Sequence, residues 1–352
     1  MKILVLPADG IGPEIVAAAV TVLSAADQKF KLNTVLQNEI VGFESLKQFG
    51  TTLRPEIIAM AKTFDGIILG TQSHAEYPPP EDGGLNISAS FRVGLDLYAN
   101  IRPARTREGL GLGKKGLDLV IMREATEGFY PDRNCHKGWG EVMLSPDMAI
   151  STRKITRYCC DRIARRAFEL ATGRRKKVTA VHKANSFHMT DGLFLECVEN
   201  VAKEFPSVEI DDILIDAMTA HLVRHPERFD VIVATNFYGD IISDLATELS
   251  GSLGLGGSIM VGDSLCAAQA QHGSAPDIAG LNIANPVAMI LSLAMLLEWG
   301  SKKFLRPELG LASKSIETAV DRVLLNSNKR TPDLGGLGNT DSFANAVAAE
   351  LQ

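Results

Sequence analysis

Short runs of β-branched and aliphatic residues, each followed by a stretch with helical periodicity, recur along the whole chain and restrict it to an α/β architecture. The runs at 2–6, 66–69, 117–122, 178–181, 213–215 and 231–234 are short and almost uniformly apolar, and read as buried strands. Between them lie helical patterns with recognisable punctuation. Pro13 suits the first turn of a helix running to about Ala26. Ser151 and Thr152 are placed to cap a helix that ends at Gly173. Residues 192–205, 240–250, 286–299 and 314–326 also read as helices. This alternation predicts a largely parallel sheet. The stretch 132–147 has weak periodicity, with Gly138, Trp139, Gly140 and Pro146, and reads as a protruding loop, hairpin or arm.

Composition closes several other routes. At 352 residues, 45% hydrophobic and 22% charged, the chain has ample material for one or two cores. A formal charge of −6, with no basic run beyond Arg174-Arg175-Lys176-Lys177, weighs against nucleic-acid binding. No apolar run reaches membrane-spanning length, and the first residues do not read as a secretory signal. Five cysteines without a CxxC spacing suggest neither a disulfide framework nor a zinc site. A cytoplasmic location is the simplest reading.

Chemistry concentrates in three places: His182-Lys183-Ala184-Asn185, Asp216, and the stretch 236–244 with Asp240 and Asp244. A lysine able to act as a base beside three carboxylates able to hold a divalent cation suits oxidation of a 2-hydroxy acid followed by loss of carbon dioxide. Asp240 and Asp244 are four apart on one face of a helix that follows the strand 231–234, and Asp216 likewise ends a strand. An all-oxygen donor set favours Mg²⁺ or Mn²⁺. The competing use of Asp240 is as a helix N-cap. Asp9-Gly10-Ile11-Gly12-Pro13-Glu14 lacks the third glycine of a dinucleotide fingerprint, and 254–257 lacks its strand–helix context, so turn glycines are the better reading for 254–257. A better cofactor loop is His272-Gly273-Ser274-Ala275-Pro276-Asp277-Ile278. There small residues allow close backbone approach, His272 and Ser274 offer hydrogen bonds, and Asp277 either accepts from a ribose or caps a turn. A carboxylate at that place would favour NAD over NADP by repelling a 2′-phosphate.

These motifs, together with 97–103, 123–130 and Ile283-Ala284-Asn285-Pro286, resemble the metal-dependent β-decarboxylating dehydrogenases: the isocitrate, isopropylmalate, homoisocitrate and tartrate/D-malate enzymes. The resemblance covers essentially the whole chain and looks nearest to homoisocitrate-type members at 192–195 and 226–233. It implies an isopropylmalate-dehydrogenase-like, non-Rossmann α/β fold of two domains sharing a central sheet. The large cofactor-side domain would be built from both chain ends, 1–97 plus 253–352. A small dimerisation domain, 98–252, would carry the arm around 132–147. It further implies a homodimer whose active sites lie in the cleft and borrow residues across the subunits.

By the same resemblance, Arg92, Arg102 and Arg123 clamp the carboxylates of a malate-like substrate, a task that suits the bidentate guanidinium. Lys183 is the base for the C2 hydroxyl, and Tyr130 protonates carbon after decarboxylation. Asp216 serves the partner subunit's metal site, Asp240 and Asp244 the local one. Asn185 lies near the nicotinamide, and Asn285 belongs to the cofactor region with the 272–278 loop. Where the family often has Glu-Pro before the His-Gly motif, this chain has Gln269-Ala270-Gln271. Ser88, Ala89 and Ser186 stand where the C3 substituent is read, with Asn86 and Ser88 in the reverse of the isocitrate-enzyme order. Small hydroxyls there predict a small or polar substituent, unless the serines are satisfied locally by backbone. The resemblance thus implies NAD- and Mg²⁺- or Mn²⁺-dependent oxidative decarboxylation of a 3-substituted (R)-malate. The alternative is a catalytically silent subunit that regulates such an enzyme.

Overall fold

The structure is a computed structural model of one chain and describes residues 1–107 and 109–351. The chain forms two compact units. One comprises Met1–Leu95, Arg107–Leu112 and the chain from Ser252 onward; the other comprises Asp96–Thr106 and Gly113–Gly251.

The first unit opens with β1 (Lys2–Leu6), α1 (Gly12–Phe30), β2 (Val35–Asn38), α2 (Phe43–Phe49), α3 (Pro55–Ala61), β3 (Gly66–Leu69) and α4 (Ile87–Gly94). The second unit follows as β4 (Ala99–Arg105), β5 (Asp118–Glu124), β6 (Glu141–Ser145), β7 (Met148–Ser151), α5 (Arg157–Thr172), β8 (Lys177–His182), α6 (Thr190–Ala202), β9 (Glu209–Leu214), α7 (Ile215–Arg224), β10 (Val231–Ala234) and α8 (Asn236–Ser250). The chain then returns to the first unit as β11 (Ile259–Val261), β12 (Cys266–Gln269), α9 (Val287–Lys303), α10 (Pro307–Leu325) and α11 (Thr340–Leu351).

In the first unit the strands lie in the order β2-β1-β3-β12-β11, parallel except for the β12–β11 hairpin. The side chains of β3 and of Ile3–Leu6 in β1 are buried, which is why their runs carry no polar alternation. Helix α9 is apolar on nearly every face and sits as a core helix, packed on β12, α1 and α10. In the second unit the order is β4-β5-β10-β8-β9, with β4 antiparallel and the rest parallel. Leu119, Ile121, Val181, Phe229, Ile232 and Ala234 from the sheet region meet Met218, Leu222, Ile242 and Ala246 from α7 and α8 in one core. Among the described residues no helix is long and apolar enough to cross a membrane. The five cysteines are free, and all but Cys135 are buried.

Several expected boundaries move, each for a physical reason. Ser151 ends β7 instead of capping a helix; the cap of α5 is Thr156, whose hydroxyl accepts from the Cys159 amide at 3.3 Å. Thr156 also donates to Glu127 Oε2 at 2.9 Å, so the cap is anchored to the preceding loop. Of the run at 213–215, Ile213 and Leu214 end β9, an edge strand carrying Glu209, Asp211 and Asp212, and Ile215 opens α7. Asp216 therefore lies in the first turn of α7, not at a strand end. Helix α8 begins at Asn236, four residues earlier than the pattern suggested, with Thr235 at the N-cap position; Asp240 is not a cap. The stretch 132–147 contributes β6, which pairs with β7 as a twisted hairpin whose residues are all exposed.

Thr156→Ala should destabilise the protein by about 1 kcal/mol, the usual loss for a helix cap, while Thr156→Ser should keep most of it. Urea midpoints of the three proteins compare them directly; equal midpoints would show that the cap contributes nothing.

Candidate active site

The second unit places a buried cation at the carboxyl end of its sheet. Arg123 is near the end of β5, in register with Ala234 of β10 on one side and Asn100 of β4 on the other. Its residue exposure is 1%, so its charge needs partners. All come from the adjacent segments. Arg123 Nε donates to Asn236 Oδ1 at 2.9 Å, Nη1 donates to Asp240, and Nη2 donates to the Tyr130 hydroxyl at 3.0 Å. Tyr130 in turn donates to Asp240 Oδ2 at 2.7 Å. Gly239 makes this approach possible: a Cβ there would sit 2.7 Å from Arg123 Cγ. Asn236 also donates to the Glu127 carbonyl at 2.7 Å, tying the Tyr130 loop to α8.

Arg102, on β4, joins the same group. Its Nη1 donates to Ser243 Oγ at 2.8 Å, to Asp240 Oδ1 at 3.2 Å and to Asp244 Oδ1 at 3.3 Å, while Nε donates to Asn100. Burial and the neighbouring Arg123 push its guanidinium down to about 10, which leaves it charged at neutral pH. Two arginines thus converge on two carboxylates one helical turn apart.

Lys183 forms a second group on the turn after β8. Its Nζ lies 2.8 Å from Asp216 Oδ1. The hydrogen bond from Lys183 holds the Asp216 carboxyl below the usual aspartate range, helped by backbone amides at the start of α7. Among the described residues of one chain, no three His, Cys, Asp or Glu side chains gather into a metal-ligating group, so Asp216 does not join Asp240 and Asp244 there. Asn185 is exposed on the Lys183 turn.

The first unit carries a cavity of about 250 Å³ lined by the 272–278 loop, by Ile283, Ala284 and Asn285, and by Ile11, Gly254 and Asp333. His272, Gly273, Ala275, Ile278 and Asn285, named from the sequence as cofactor-site candidates, are among its lining residues. Burial lowers the His272 imidazole below its usual range, which favours the neutral ring. Its Nδ1 lies 3.0 Å from the Gly273 carbonyl, which only accepts, so Nδ1 carries the proton and Nε2 is an acceptor. Asn285 donates to Asp333 Oδ2 at 2.9 Å. A Cβ at Gly254 would come within 2.8 Å of Asn285 Nδ2, so this glycine is part of the cavity wall and not only a turn residue.

Ser274, expected to offer a hydrogen bond to a cofactor, is engaged within the protein. Its hydroxyl is buried against Ser73 Oγ at 2.7 Å, and its carbonyl accepts from the Ile11 amide at 2.8 Å. It locks the loop to the β1–α1 turn, where Gly10 (φ 59°) leaves room for that carbonyl. Pro276, Asp277 and Ile278 form a single 3₁₀ turn with Asp277 exposed.

Also in the first unit, Arg92 is largely buried on α4 with its Nε 3.2 Å from Met260 Sδ. Ser88 does not cap backbone; its hydroxyl donates to Gln72 Oε1 at 2.7 Å and meets the Gln269 amide at 3.1 Å. Asn86 is the N-cap of α4, accepting from the Ala89 amide at 3.0 Å. Ser186 is exposed on the Lys183 turn. Sequence reasoning missed Asn236, Gly254, Asp333 and Gln72. The first two sit inside motifs that were noticed; nothing in the sequence marks the last two.

Two buried arginines on two carboxylates and a separate lysine–aspartate pair are thus the charged groups of this unit. The family model described as isocitrate/isopropylmalate dehydrogenase matches residues 2–347, and the chain belongs to that family of β-decarboxylating hydroxy-acid dehydrogenases. The isocitrate/homoisocitrate dehydrogenase of Thermus thermophilus is 41% identical, covering 100% of this chain and 98% of the relative. The 3-isopropylmalate dehydrogenase of Archaeoglobus fulgidus is 40% identical with 99% of each chain covered. The crystal structure of isocitrate dehydrogenase from Methylococcus capsulatus matches with a TM-score of 0.88 and 37% identity over 99% of each chain.

A carboxylate held low in the native state stabilises it above the unfolded-state pKa and loses that contribution as pH falls through the native one. Lys183→Met should move the Asp216 carboxyl back up toward the ordinary aspartate range. A ¹³C-NMR titration of that carboxyl reads the shift; an unmoved value would assign the depression to the α7 backbone alone.

Proposed function

We propose that the protein is a homodimeric, NAD- and Mg²⁺- or Mn²⁺-dependent dehydrogenase that oxidises a 3-substituted (R)-malate and decarboxylates the resulting 2-oxo acid. The observation that carries this reading is the convergence of Arg102, Arg123 and Tyr130 on Asp240 beside Asp244. A binding module has no need for a tyrosine proton, a paired lysine and two arginines around carboxylates that already have partners.

The residues present fit a divalent cation and a dinucleotide. Asp240 and Asp244 offer an oxygen-only pair to a hard cation, and Asp216 of the partner subunit would complete it. The cavity is of adenosine size, below the range typical of whole-ligand pockets, and its apolar walls suit a flat base. The neutral His272 acceptor suits an exocyclic amine, and exposed Asp277 suits ribose hydroxyls. When bound, the cofactors would supply hydride acceptance and charge stabilisation at the C2 oxygen.

The chain's own residues do the rest. Arg102 and Arg123, with Arg92, would clamp the substrate's carboxylates in bidentate fashion and fix which face of C2 is presented. Lys183 would take the C2 hydroxyl proton, with Asp216 orienting its ammonium group. The Tyr130 hydroxyl, which accepts from Arg123 and donates to Asp240, holds a proton that would pass to C3 after carbon dioxide leaves. Asn185 would lie by the nicotinamide. Ser88, backed by the Gln72 and Gln269 amides, suits a hydrogen, hydroxyl or carboxymethyl substituent at C3 better than a branched alkyl group.

Dimerisation through the unit built around residues 98–252 has its own support. The β6–β7 hairpin exposes Val142, Met143, Leu144, Met148 and Ile150, and Trp139 is exposed beside it. An isolated two-stranded hairpin with such a surface is marginal until something covers it.

An NADH-formation screen with Mg²⁺ or Mn²⁺ over isopropylmalate, isocitrate, homoisocitrate, D-malate and tartrate tests the reading. Turnover should appear, strongest with the less bulky or more polar substrates, and Lys183→Met should lower it about 10²–10⁴-fold. No turnover with any of these would favour a silent regulatory subunit. Separately, Asp277→Lys should shift the ratio of efficiencies from NAD toward NADP by removing a repulsive charge and adding an attractive one. An unmoved ratio would mean that the ribose is read elsewhere.

A further inference from the structure

We propose that the buried ion pair Arg153–Asp191 is a positioning device that sets the Lys183 turn against the start of α8 and so controls turnover. This rests on the reading of Lys183 as the base. Neither residue belongs to the groups described above, yet both lie where those groups are joined.

Asp191 is fully buried in the first turn of α6. One carboxylate oxygen, Oδ2, accepts the Lys183 backbone amide at 2.6 Å. The other, Oδ1, lies 2.5 Å from Arg153 Nη1. Lys183 is the first residue beyond the β8 ladder, whose pairing with β9 ends at His182. Its amide has left the sheet, and Asp191 supplies the acceptor it would otherwise lack. The rest of the turn closes on the same residue: the Ser186 and Phe187 amides both donate to the Lys183 carbonyl at 2.9 Å. His182 braces it from behind, accepting from the Ala184 amide at 3.1 Å through Nδ1 and meeting Asp212 at 2.9 Å through Nε2.

Arg153 carries the other half of the link. Its guanidinium donates to Thr190 Oγ1 and to Thr235 Oγ1, each at 3.2 Å. Thr235 is the N-cap position of α8, the helix that bears Asp240 and Asp244. The cation also lies over the rings of Phe129, Phe187 and Tyr238 at 4.9, 5.4 and 5.1 Å. Burial, with the Asp191 charge next, pushes the Tyr238 hydroxyl up to about 12, so the ring stays neutral against the pair. One guanidinium thus touches the segments leading into α6 and α8, and one carboxylate passes that contact to the Lys183 backbone.

A buried ion pair is a poor way to gain stability, because desolvation cancels most of the attraction. What it supplies here is placement: the planar guanidinium is fixed by Thr190 and Thr235, and its charge holds the Asp191 carboxylate, whose other oxygen takes the Lys183 amide. A base displaced by a fraction of an ångström loses its line to the substrate hydroxyl while the fold survives.

The experiment uses the full-length protein in four variants, Asp191→Asn, Arg153→Met, Arg153→Lys and the double variant Asp191→Asn/Arg153→Met, with Lys183→Met as reference. Asp191→Asn and Arg153→Met should each lower kcat about 10–100-fold, while the KM for the dinucleotide stays within about twofold. Hydrogen exchange at the Lys183 amide, followed by mass spectrometry in the absence of substrate, should speed up about tenfold or more in both. Arg153→Lys, which keeps the charge, should recover part of kcat. The double variant leaves no buried charge unpaired; if a single variant fails to fold, the same loss of kcat and of amide protection is expected in it. Unchanged kcat and unchanged exchange in folded variants, with Lys183→Met inactive, would overturn the positioning role alone. Full turnover in Lys183→Met would overturn the base assignment on which it rests.

Discussion

A guanidinium that is almost wholly out of water must be answered by charge and hydrogen bonds, and Arg123 organises the second unit around that need. Its position near the end of β5, paired in register with β10, brings the segment after β10 close enough to answer. Asn236, Gly239 and Asp240 supply the three things required there: an acceptor for Nε, an empty Cβ position, and a countercharge. Tyr130 closes the group from the other side and is itself held over by Arg123 and Arg133. Removing one partner from a buried pair of this kind typically costs ~3–5 kcal/mol, so the motif around Asp240 is bound to β5 by energy as well as by chemistry.

The same residues explain how a substrate would be admitted. In the free chain the arginines and the aspartates neutralise one another. A malate-type anion offers carboxylates to Arg102 and Arg123; a divalent cation offers charge to Asp240 and Asp244. Neither alone is a good exchange, since each strips one side of the group and leaves the other uncompensated. Together they repartner every charge. The proposed function therefore carries an intrinsic coupling between anion and cation, and thermodynamic linkage makes that coupling reciprocal.

Legibility in the sequence followed burial. Strands β1, β3 and β10 lie within the sheets, and their uniform apolar runs marked both ends to the residue. β4 escaped notice because Asn100, Arg102 and Pro103 interrupt it, although Asn100 and Arg102 are buried and hydrogen-bonded to each other at the candidate site. β9 was misread because an edge strand alternates with charged residues. The cap of α5 was displaced because three hydroxyl residues, Ser151, Thr152 and Thr156, compete within six positions, and only the hairpin geometry selects the last. At the site, the motifs named Arg102, Arg123, Tyr130, Lys183 and the aspartates, but not who touches whom. That Ser274 serves Ser73 and that Asp333 borders the cavity depend on chain segments far apart in sequence, where no local pattern carries a signal. The pair Arg153–Asp191 was silent for the same reason.

The central claim is that Asp240 and Asp244 exchange arginine partners for a cation only as the arginines acquire substrate carboxylates. Isothermal titration of Mn²⁺ into the full-length protein, without dinucleotide so that no turnover occurs, tests it directly. With a saturating 3-substituted malate that supports turnover in the screen, Mn²⁺ should bind at least about tenfold more tightly than without it, within the usual range of coupling between sites. Equal affinity in the two titrations would contradict the account, because it would mean that the arginines and the cation do not compete for the same carboxylates.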